Sequence, residues 1–210
     1  MLLFVLFVGF SGALLMFCGD MLLYYDRNDF EHDGTLDPII NIMKKLPEKR
    51  VILGGLIGPA AAFLYCIGFF HIVLITKEPF HMLSRACSLL NCLGIIAGGA
   101  YHSHCAYLGL LGQNEQRKDL GIALNYFQKL NIMLYFGEGS GLALLIFLIA
   151  AGKTVFPSWM AVLSPGFLFL LRPLARKLPK GVHMIVSGGF TNIIFIVYYL
   201  SAIILYLADL

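Results

Sequence analysis

The chain has 210 residues, of which 59% are hydrophobic and 13% are charged, and its mean hydropathy is +0.82. Because soluble domains are about half apolar and about a quarter charged, this composition excludes a water-soluble fold. It indicates an integral membrane protein with a single transmembrane domain, residues 1–210. The net charge is only +3, and no block of like charge suits a nucleic acid, which excludes that partner.

Long apolar runs predict the membrane spans, since a helix needs about 20 mostly apolar residues to cross a bilayer. The first run lacks the basic start of a cleaved signal, so we interpret it as a retained span. The fifth run is short and contains Pro157 and Pro165, which predicts a tilted, kinked or partly re-entrant segment. The predicted fold class is an all-α, polytopic bundle of six spans over residues 2–25, 51–75, 86–111, 130–151, 157–171 and 184–208.

Basic residues are distributed unequally among the loops. The loops before spans two, four and six hold 12 of the 15 Lys and Arg residues, whereas Lys77, Arg85 and Lys153 lie on the opposite side. Because Lys and Arg are enriched in cytoplasmic loops, these three basic loops are predicted to be cytoplasmic. Both termini are then non-cytoplasmic, and the predicted location is the cell membrane, as a multi-pass protein.

The first basic loop carries a helix signal of its own at residues 37–46, "DPIINIMKKL". Pro38 suits the first helical position, and the apolar side chains of Ile39, Ile40, Met43 and Leu46 share one face. This pattern predicts a short helix at the cytoplasmic interface, either lying among lipid headgroups or packed on the bundle as an ordinary loop helix.

Ionisable residues inside a membrane are costly and usually face a bundle interior or a wet cavity. With a rise of about 1.5 Å per residue, Asp20, His102, Glu138 and Asn192 all fall about 8 to 13 Å from the cytoplasmic ends of their spans. Four helices are thus predicted to bring polar groups to one level. Their small neighbours, such as those in "GEGSG" around Glu138, are typical of helix faces that pack closely.

The histidines are not equivalent. His102 and His104 are two residues apart and point in nearly opposite directions on a helix, about 200° apart. We predict that His102 belongs to the polar site and that His104 lies beside it in a supporting role, whereas His71 is a hydrogen-bonded structural residue. The predicted substrate-orienting groups are Asn192, Ser140, Tyr24 and His104.

Two carboxylates and a histidine suit general acid–base chemistry, so Asp20, His102 and Glu138 are the predicted catalytic groups. The preferred hypothesis is a hydrolase or isomerase acting on a lipid-soluble small molecule, with membrane lipids as partners. The alternatives are a small proton-coupled transporter and a structural or accessory protein whose polar layer only joins helices. The sequence leaves a homo-oligomer open.

No cofactor is predicted. A metal at His102, Asp20 and Glu138 is a minority alternative, because these side chains suit zinc or iron although no HxxxH or HExxH spacing is present. The five cysteines lie in apolar runs without a CxxC pair, which is typical of small buried hydrophobic residues.

Four stretches carry a resemblance. "GDMLLYY" (19–25), "RVILGGLIGPAAAFLY" (50–65), "AYHSHCAYLG" (100–109) and "GGFTNIIFIVYY" (188–199) resemble an uncharacterised family of small bacterial six-span membrane proteins. That resemblance implies topology and source, without an activity. "GDMLL" (19–23) is also similar to a stretch of lysoplasmalogenase-type membrane proteins, which implies a role for Asp20 in lipid hydrolysis.

Overall fold

The fold is known from a computed structural model, which describes residues 1–25, 37–113, 120–175 and 177–208. These residues form an all-α bundle. Two short 3-10 turns, Ser158–Leu163 and Phe169–Leu171, flank α7. The α-helices are α1 Leu2–Tyr24, α2 Asp37–Met43, α3 Glu48–Phe69, α4 His71–Ile75, α5 His81–Gln113, α6 Leu120–Ala150, α7 Pro165–Leu168, α8 Arg172–Ala175 and α9 Lys180–Ala208.

Five helical stretches of the described chain are long and apolar enough to cross a membrane: α1, α3 together with α4, α5, α6 and α9. The membrane-type helix bundle predicted from composition is therefore confirmed at this level. The predicted fifth span is not one helix. Residues 158–175, which we call the broken segment, are divided into short helical pieces with extended backbone at Pro157 and Ser164. Proline, which lacks an N–H group and cannot continue a helix, explains the division.

The long helices form an open row in the order α9, α1, α3, α5, α6, in which each packs mainly on the next. Helices α6 and α9, at the two ends of this row, make little direct contact and are joined through the broken segment. This leaves a space between the two ends of the row, with α1 and α5 behind it and the broken segment in front.

The two ends of the bundle are distinct. Gly9 packs against Tyr199, whereas Asp20 contacts Asn192, so α1 and α9 run antiparallel. We call the end where α1 begins and α9 ends the upper end. The loops after α4 and α6 meet there, because the N–H of Lys77 donates to the carbonyl of Lys153 at 2.9 Å.

The broken segment connects the upper end to the lower end. It follows α6, which ends at the upper end, and it precedes α9, which begins at the lower end. Gly166 in its middle packs against Leu142 and Ile146 of α6. Near its end, the carbonyl of Ala175 accepts a hydrogen bond from Nδ1 of His183 in the first turn of α9, at 2.9 Å.

The short helix predicted at residues 37–46 is present as α2, over Asp37–Met43. Of the two placements considered, the structure shows the packed one. Met43 is fully buried and fills the space beside Gly109 of α5. Gln113 donates hydrogen bonds to the carbonyls of Met43 and Leu46 at 2.9 and 3.0 Å. Helix α2 is thus part of the bundle at its lower end.

Arg50 fixes the lower end of α1. The last carbonyls of a helix mostly have no partner within it. The Arg50 guanidinium binds three carbonyls at this end, of which that of Met21 also accepts from the N–H of Tyr25. It donates to Leu22 at 2.8 Å, to Met21 at 2.9 Å and to Tyr25. A cation at this end of a helix also interacts favourably with the helix dipole. The last turn of α1, which carries Asp20 and Tyr24, is therefore held in place by α3.

The described basic side chains follow the predicted asymmetry. The upper end carries Lys77, Arg85 and Lys153. Four other basic residues lie outside the described residues: Arg27, Arg117, Lys118 and Arg176. The lower end carries Lys44, Lys45, Lys49, Arg50, Arg172 and Lys177. Lys129 lies in the lower half of α6, and Lys180 begins α9 at the lower end.

Candidate functional site

Asp20 is at the centre of a buried hydrogen-bond network. The residue is 7% exposed, and its Oδ2 accepts a hydrogen bond from Nδ2 of Asn192 on α9 at 2.6 Å. The other end of the Asn192 amide, Oδ1, accepts a hydrogen bond from the Tyr65 hydroxyl on α3 at 2.8 Å. Three helices are thereby joined through one carboxylate, as expected for a buried polar group that must be satisfied by neighbours.

His102 on α5 completes this group. Its Nε2 lies 3.2 Å from Oδ1 of Asp20, and this distance is short enough for an ion pair. The geometry does not meet the criteria for a hydrogen bond, and neither ring nitrogen makes a hydrogen bond to any described residue. A buried imidazole with unused hydrogen-bonding groups is uncommon in a folded protein. His102 therefore retains hydrogen-bonding capacity that a ligand or water can take up.

Two glycines make room for the His102 ring. A side-chain Cβ at Gly19 of α1 would lie 3.0 Å from Cε1 of His102, and one at Gly58 of α3 would lie 2.8 Å from its Cβ. Both distances are shorter than a normal van der Waals contact between carbon atoms, about 3.5 to 4.0 Å. The glycines of α1 and α3 thus allow the imidazole to sit between three helices and reach Asp20.

A cavity of about 380 Å³ extends from this group into the space between the ends of the row. Its volume is within the range of small-molecule sites, about 300 to 1,000 Å³. Walls come from α1, α5, α6, α9 and the broken segment. Five of the seven predicted site residues line it: Asp20, Tyr24, His102, Glu138 and Asn192.

The lining changes in character from one end of the bundle to the other. Nearer the lower end, along α1, α6 and α9, the lining side chains are polar: Tyr24, Asn131, Tyr135 and Ser187. Arg172 of the broken segment and Tyr101, which precedes His102 on α5, also line the cavity. The acid and histidine groups line it with Thr191 and Asn192, but Glu138 packs against Gly94, which lies eight residues, about 12 Å, above His102 on α5. The upper end is apolar, with Met16, Ile95, Leu142, Ala143, Ile146, Gly166, Ile194 and Phe195. Such a lining suits an amphiphilic molecule.

The cavity reaches the protein surface along one side of α6. Tyr135 is 51% exposed, and Gly139 and Ala143, one and two turns above it, are also exposed although they line the cavity. Arg172 is exposed on the facing broken segment. A hydrophobic molecule could therefore enter between α6 and the broken segment without passing through the bundle.

Glu138 occupies the α6 wall. It is 7% exposed, and its Oε1 makes no hydrogen bond to a described residue. The helix backbones are very close there, since a Cβ at Gly94 of α5 would lie 2.3 Å from the backbone nitrogen of Glu138. The carboxyl group is thus held on a closely packed wall while one of its oxygens is left without a partner.

His104 and Ser140 are the two predicted site residues that the structure does not bring to the cavity. Nε2 of His104 donates to the carbonyl of Ala123 at 2.9 Å, and its ring packs on Tyr126 and Phe127. Ser140 is partly buried outside the cavity lining. Both lie on helices that line the cavity, but at positions rotated away from it.

His71 has the structural environment that the sequence suggested. Its Nδ1 donates to the carbonyl of Gly68 at 2.7 Å, and its Nε2 lies 2.8 Å from the Tyr198 hydroxyl. Because a carbonyl can only accept, the proton must be on Nδ1, and the neutral ring then accepts from Tyr198 through Nε2. Both nitrogens are used, and no cavity-lining role is evident.

Metal binding has little support from this geometry. Within the described ranges, no three His, Cys, Asp or Glu side chains come together in a way that could hold a metal ion. The minority alternative of a metal at His102, Asp20 and Glu138 therefore gains nothing from the structure.

Comparison with known proteins gives a family. The model of a family of unknown function, DUF6796, matches residues 2–208. The chain belongs to the DUF6796 family. No curated protein and no solved structure matches it. Membership of DUF6796 agrees with the resemblance to an uncharacterised family, and it brings no activity with it.

Several lining residues of this DUF6796 chain were missed by sequence reasoning. Asn131 and Tyr135 are four residues apart and precede Glu138 by seven and three, so they share its face of α6. That spacing could have identified them. Arg172 was counted only as a topology signal, because its approach to the cavity depends on the broken segment.

Proposed function

We propose that this protein is an integral membrane enzyme that uses acid–base chemistry to hydrolyse or isomerise an amphiphilic, lipid-soluble substrate. The observation that carries the proposal is the cavity itself, which is lined by two carboxyl groups and a histidine together with other polar side chains and an apolar part. A purely structural polar layer would satisfy its members with each other, whereas His102 and Glu138 keep unused polar atoms.

In this proposal Asp20 and Glu138 are the groups that exchange protons with substrate or water, from α1 and α6. Asn192 holds Asp20 in place through its amide, and Tyr65 holds Asn192. His102 on α5 lies within ion-pair distance of Asp20 and helps to position its carboxyl group. The resemblance of "GDMLL" to lysoplasmalogenase-type proteins also implies a role for Asp20 in lipid hydrolysis, and hydrolysis is the reaction we favour.

We further propose six membrane crossings, with the broken segment as the fifth and both termini outside the cytoplasm. Support comes from the chain path, which leaves α6 at the upper end and starts α9 at the lower end. The basic side chains concentrated at the lower end favour a cytoplasmic location for it. The polar end of the cavity would then face the cytoplasmic leaflet of the cell membrane.

The test is product analysis with isosteric variants. Purified protein is incubated with a total membrane-lipid extract, and lipids are followed by mass spectrometry. We expect one lipid class to be consumed by the wild type, and Asp20→Asn and Glu138→Gln each to slow this by about 100-fold or more, the usual range for acid–base groups. Glu48→Gln, at an exposed acid on α3, is the matched control and should turn over normally.

Thermal unfolding of each variant separates loss of chemistry from loss of fold. If the wild type consumes no lipid, or if both carboxyl variants retain full turnover while folded, the enzyme proposal is wrong. If the variants change only the unfolding temperature, the polar layer is structural.

A second candidate, proton-coupled transport, is favoured by one observation. Polar groups continue from Asp20 through Asn192 and Tyr65 toward the upper end, where the Tyr199 ring lies 6.4 Å from that of Tyr65 and 5.4 Å from that of His71. Protein in liposomes with an enclosed pH dye would acidify or alkalinise the lumen if this path conducts. Transport abolished by Asp20→Asn without lipid turnover would favour this function over the enzyme.

A further inference from the structure

Arg172 stands at the polar end of the cavity without an acidic partner. Its side chain is exposed and lines the cavity, and its Cζ lies 5.5 Å from the centre of the Phe169 ring. Among the described residues its guanidinium has no carboxylate within ion-pair distance, since Asp20 pairs with His102 instead. Its charge is therefore available to a ligand.

Neutral polar side chains line the cavity together with Arg172. They are Tyr101, Asn131, Tyr135 and Ser187, and all of them can donate hydrogen bonds to an anion. An arginine surrounded by neutral donors is suited to bind a phosphate or carboxylate, because its planar guanidinium can donate two parallel hydrogen bonds.

The rest of the cavity defines the other part of the ligand. Along α6 the lining runs from Asn131 to Ile146, which is about 22 Å for fifteen residues of helix. The upper part is apolar, and Asp20, Glu138 and Arg172 line the same cavity. A volume of about 380 Å³ is near the lower limit for small-molecule sites, about 300 Å³, and favours one alkyl chain over two.

We propose that Arg172 binds the anionic headgroup of a single-chain amphiphile whose alkyl chain fills the apolar upper part of the cavity. Asp20 and Glu138 line the cavity that this amphiphile would occupy. This inference rests on the proposed function in taking the cavity as the substrate site, and it adds the substrate class: one chain, one negatively charged head.

The test uses one anionic single-chain lipid and two probes that each lack one part of it. They are 1-lauroylglycerol 3-phosphate, 1-lauroylglycerol without the phosphate, and glycerol 3-phosphate without the chain. Binding to the full-length protein in neutral-detergent micelles is measured by isothermal titration calorimetry. We expect the anionic lipid to bind about tenfold or more tightly than the neutral one, as for a charge-assisted hydrogen-bond pair, and glycerol 3-phosphate to show no saturable binding.

The variant Arg172→Gln should remove this preference and leave the affinity for 1-lauroylglycerol unchanged, which also shows that the cavity is intact. Arg172→Lys should keep part of the preference. Lys177→Gln is the matched control, because Lys177 is also basic and exposed at the lower end but does not line the cavity. It should bind all probes as the wild type does.

Equal affinity for the two lipids, or a preference that survives Arg172→Gln, would overturn the proposal. Saturable binding of glycerol 3-phosphate as tight as that of the lipid would show that the ligand is a free phosphate, and would overturn the part concerning the chain. Turnover is measured in parallel. A wild-type protein that consumes no lipid, while Arg172→Gln loses the binding preference, would refute the enzyme proposal and support the headgroup site.

Discussion

The protein buries two histidines in opposite environments. His71, near the upper end, uses both ring nitrogens, one with the carbonyl of Gly68 and one with the hydroxyl of Tyr198. His102, nearer the lower end, makes no hydrogen bond to a described residue and has only the carboxylate of Asp20 within ion-pair distance. Burial is nearly the same, 0% and 5% exposed, so depth in the protein does not distinguish their roles.

What distinguishes them is the packing around each ring. His71 lies among the aromatic rings of Tyr198 and Tyr199 in a closed part of the core. His102 lines a cavity with carboxyl groups on two walls. A histidine whose hydrogen bonds are all satisfied by the protein stabilises the fold, whereas one that retains unused nitrogens beside a cavity is available for a ligand.

The largest effect on stability is expected at His71. His71→Ala leaves the Tyr198 hydroxyl and the Gly68 carbonyl without partners in a closed core, and it opens a cavity. We expect the free energy of unfolding in detergent to fall by about 3 to 5 kcal/mol. His81→Ala, at a half-exposed histidine paired with Glu78, should lower it by less than about 0.5 kcal/mol. Equal effects would show that the His71 bonds are not stabilising.

The next largest loss of stability is expected where Gly19 and Gly58 make room for the His102 ring. Gly58→Ala places a Cβ 2.8 Å from Cβ of His102 and 2.9 Å from the carbonyl oxygen of Gly99. Overpacking of this kind lowers the free energy of unfolding by about 1 to 3 kcal/mol, and displacement of the ring should lower lipid turnover. Gly121→Ala, where nothing lies within 4 Å, should instead stabilise α6 by about 0.5 to 1 kcal/mol. A Gly58→Ala protein with wild-type stability and turnover would show that the His102 ring does not need the space left by Gly58.

Two tyrosine variants test the difference between the His71 and His102 regions with smaller losses of stability. Tyr198→Phe removes the donor to His71, and Tyr65→Phe removes the donor to Asn192. Each should lower the free energy of unfolding by about 1 to 2 kcal/mol. Turnover should fall only in Tyr65→Phe, because its bond holds Asn192 against Asp20. If both variants lose turnover, the two regions are coupled and the upper network is part of the function.

The smallest effect is expected at His104. His104→Phe removes one hydrogen bond, to the carbonyl of Ala123, and keeps the aromatic packing with Tyr126 and Phe127. We expect a loss of about 1 kcal/mol in unfolding free energy and normal lipid turnover. A turnover defect in the folded variant would show that His104 contributes to the site, as the sequence had suggested.

The sequence predicted the helical bundle because uninterrupted apolar runs have few alternatives in a membrane. Helical rise also placed Asp20, His102, Glu138 and Asn192 near one level. The structure brings Asp20, His102 and Asn192 together, whereas Glu138 packs against Gly94, about 12 Å from His102 along α5. Depth along a helix follows from counting residues. The rotation of a helix about its axis cannot be counted in this way, because it depends on the helices that pack against it. Ser140 was therefore predicted as a site residue, whereas Asn131 and Tyr135 are α6 residues that line the cavity.

The fifth run was harder to predict for a different reason. Its prolines showed that a regular helix was unlikely to form, but not where each short piece would lie. Arg172 reaches the cavity only because the broken segment packs between α6 and α9. A residue whose position depends on an irregular backbone cannot be placed by periodicity.

The open row of helices sets an order of assembly during synthesis. Helices α1, α3, α5 and α6 pack in the order in which the ribosome makes them, each on its predecessor. Only α9, the last to emerge, returns to α1 and supplies Asn192 to Asp20. Until α9 is made, the buried carboxylate lacks this partner. The site is therefore completed only when the fifth long helix, α9, packs against the first.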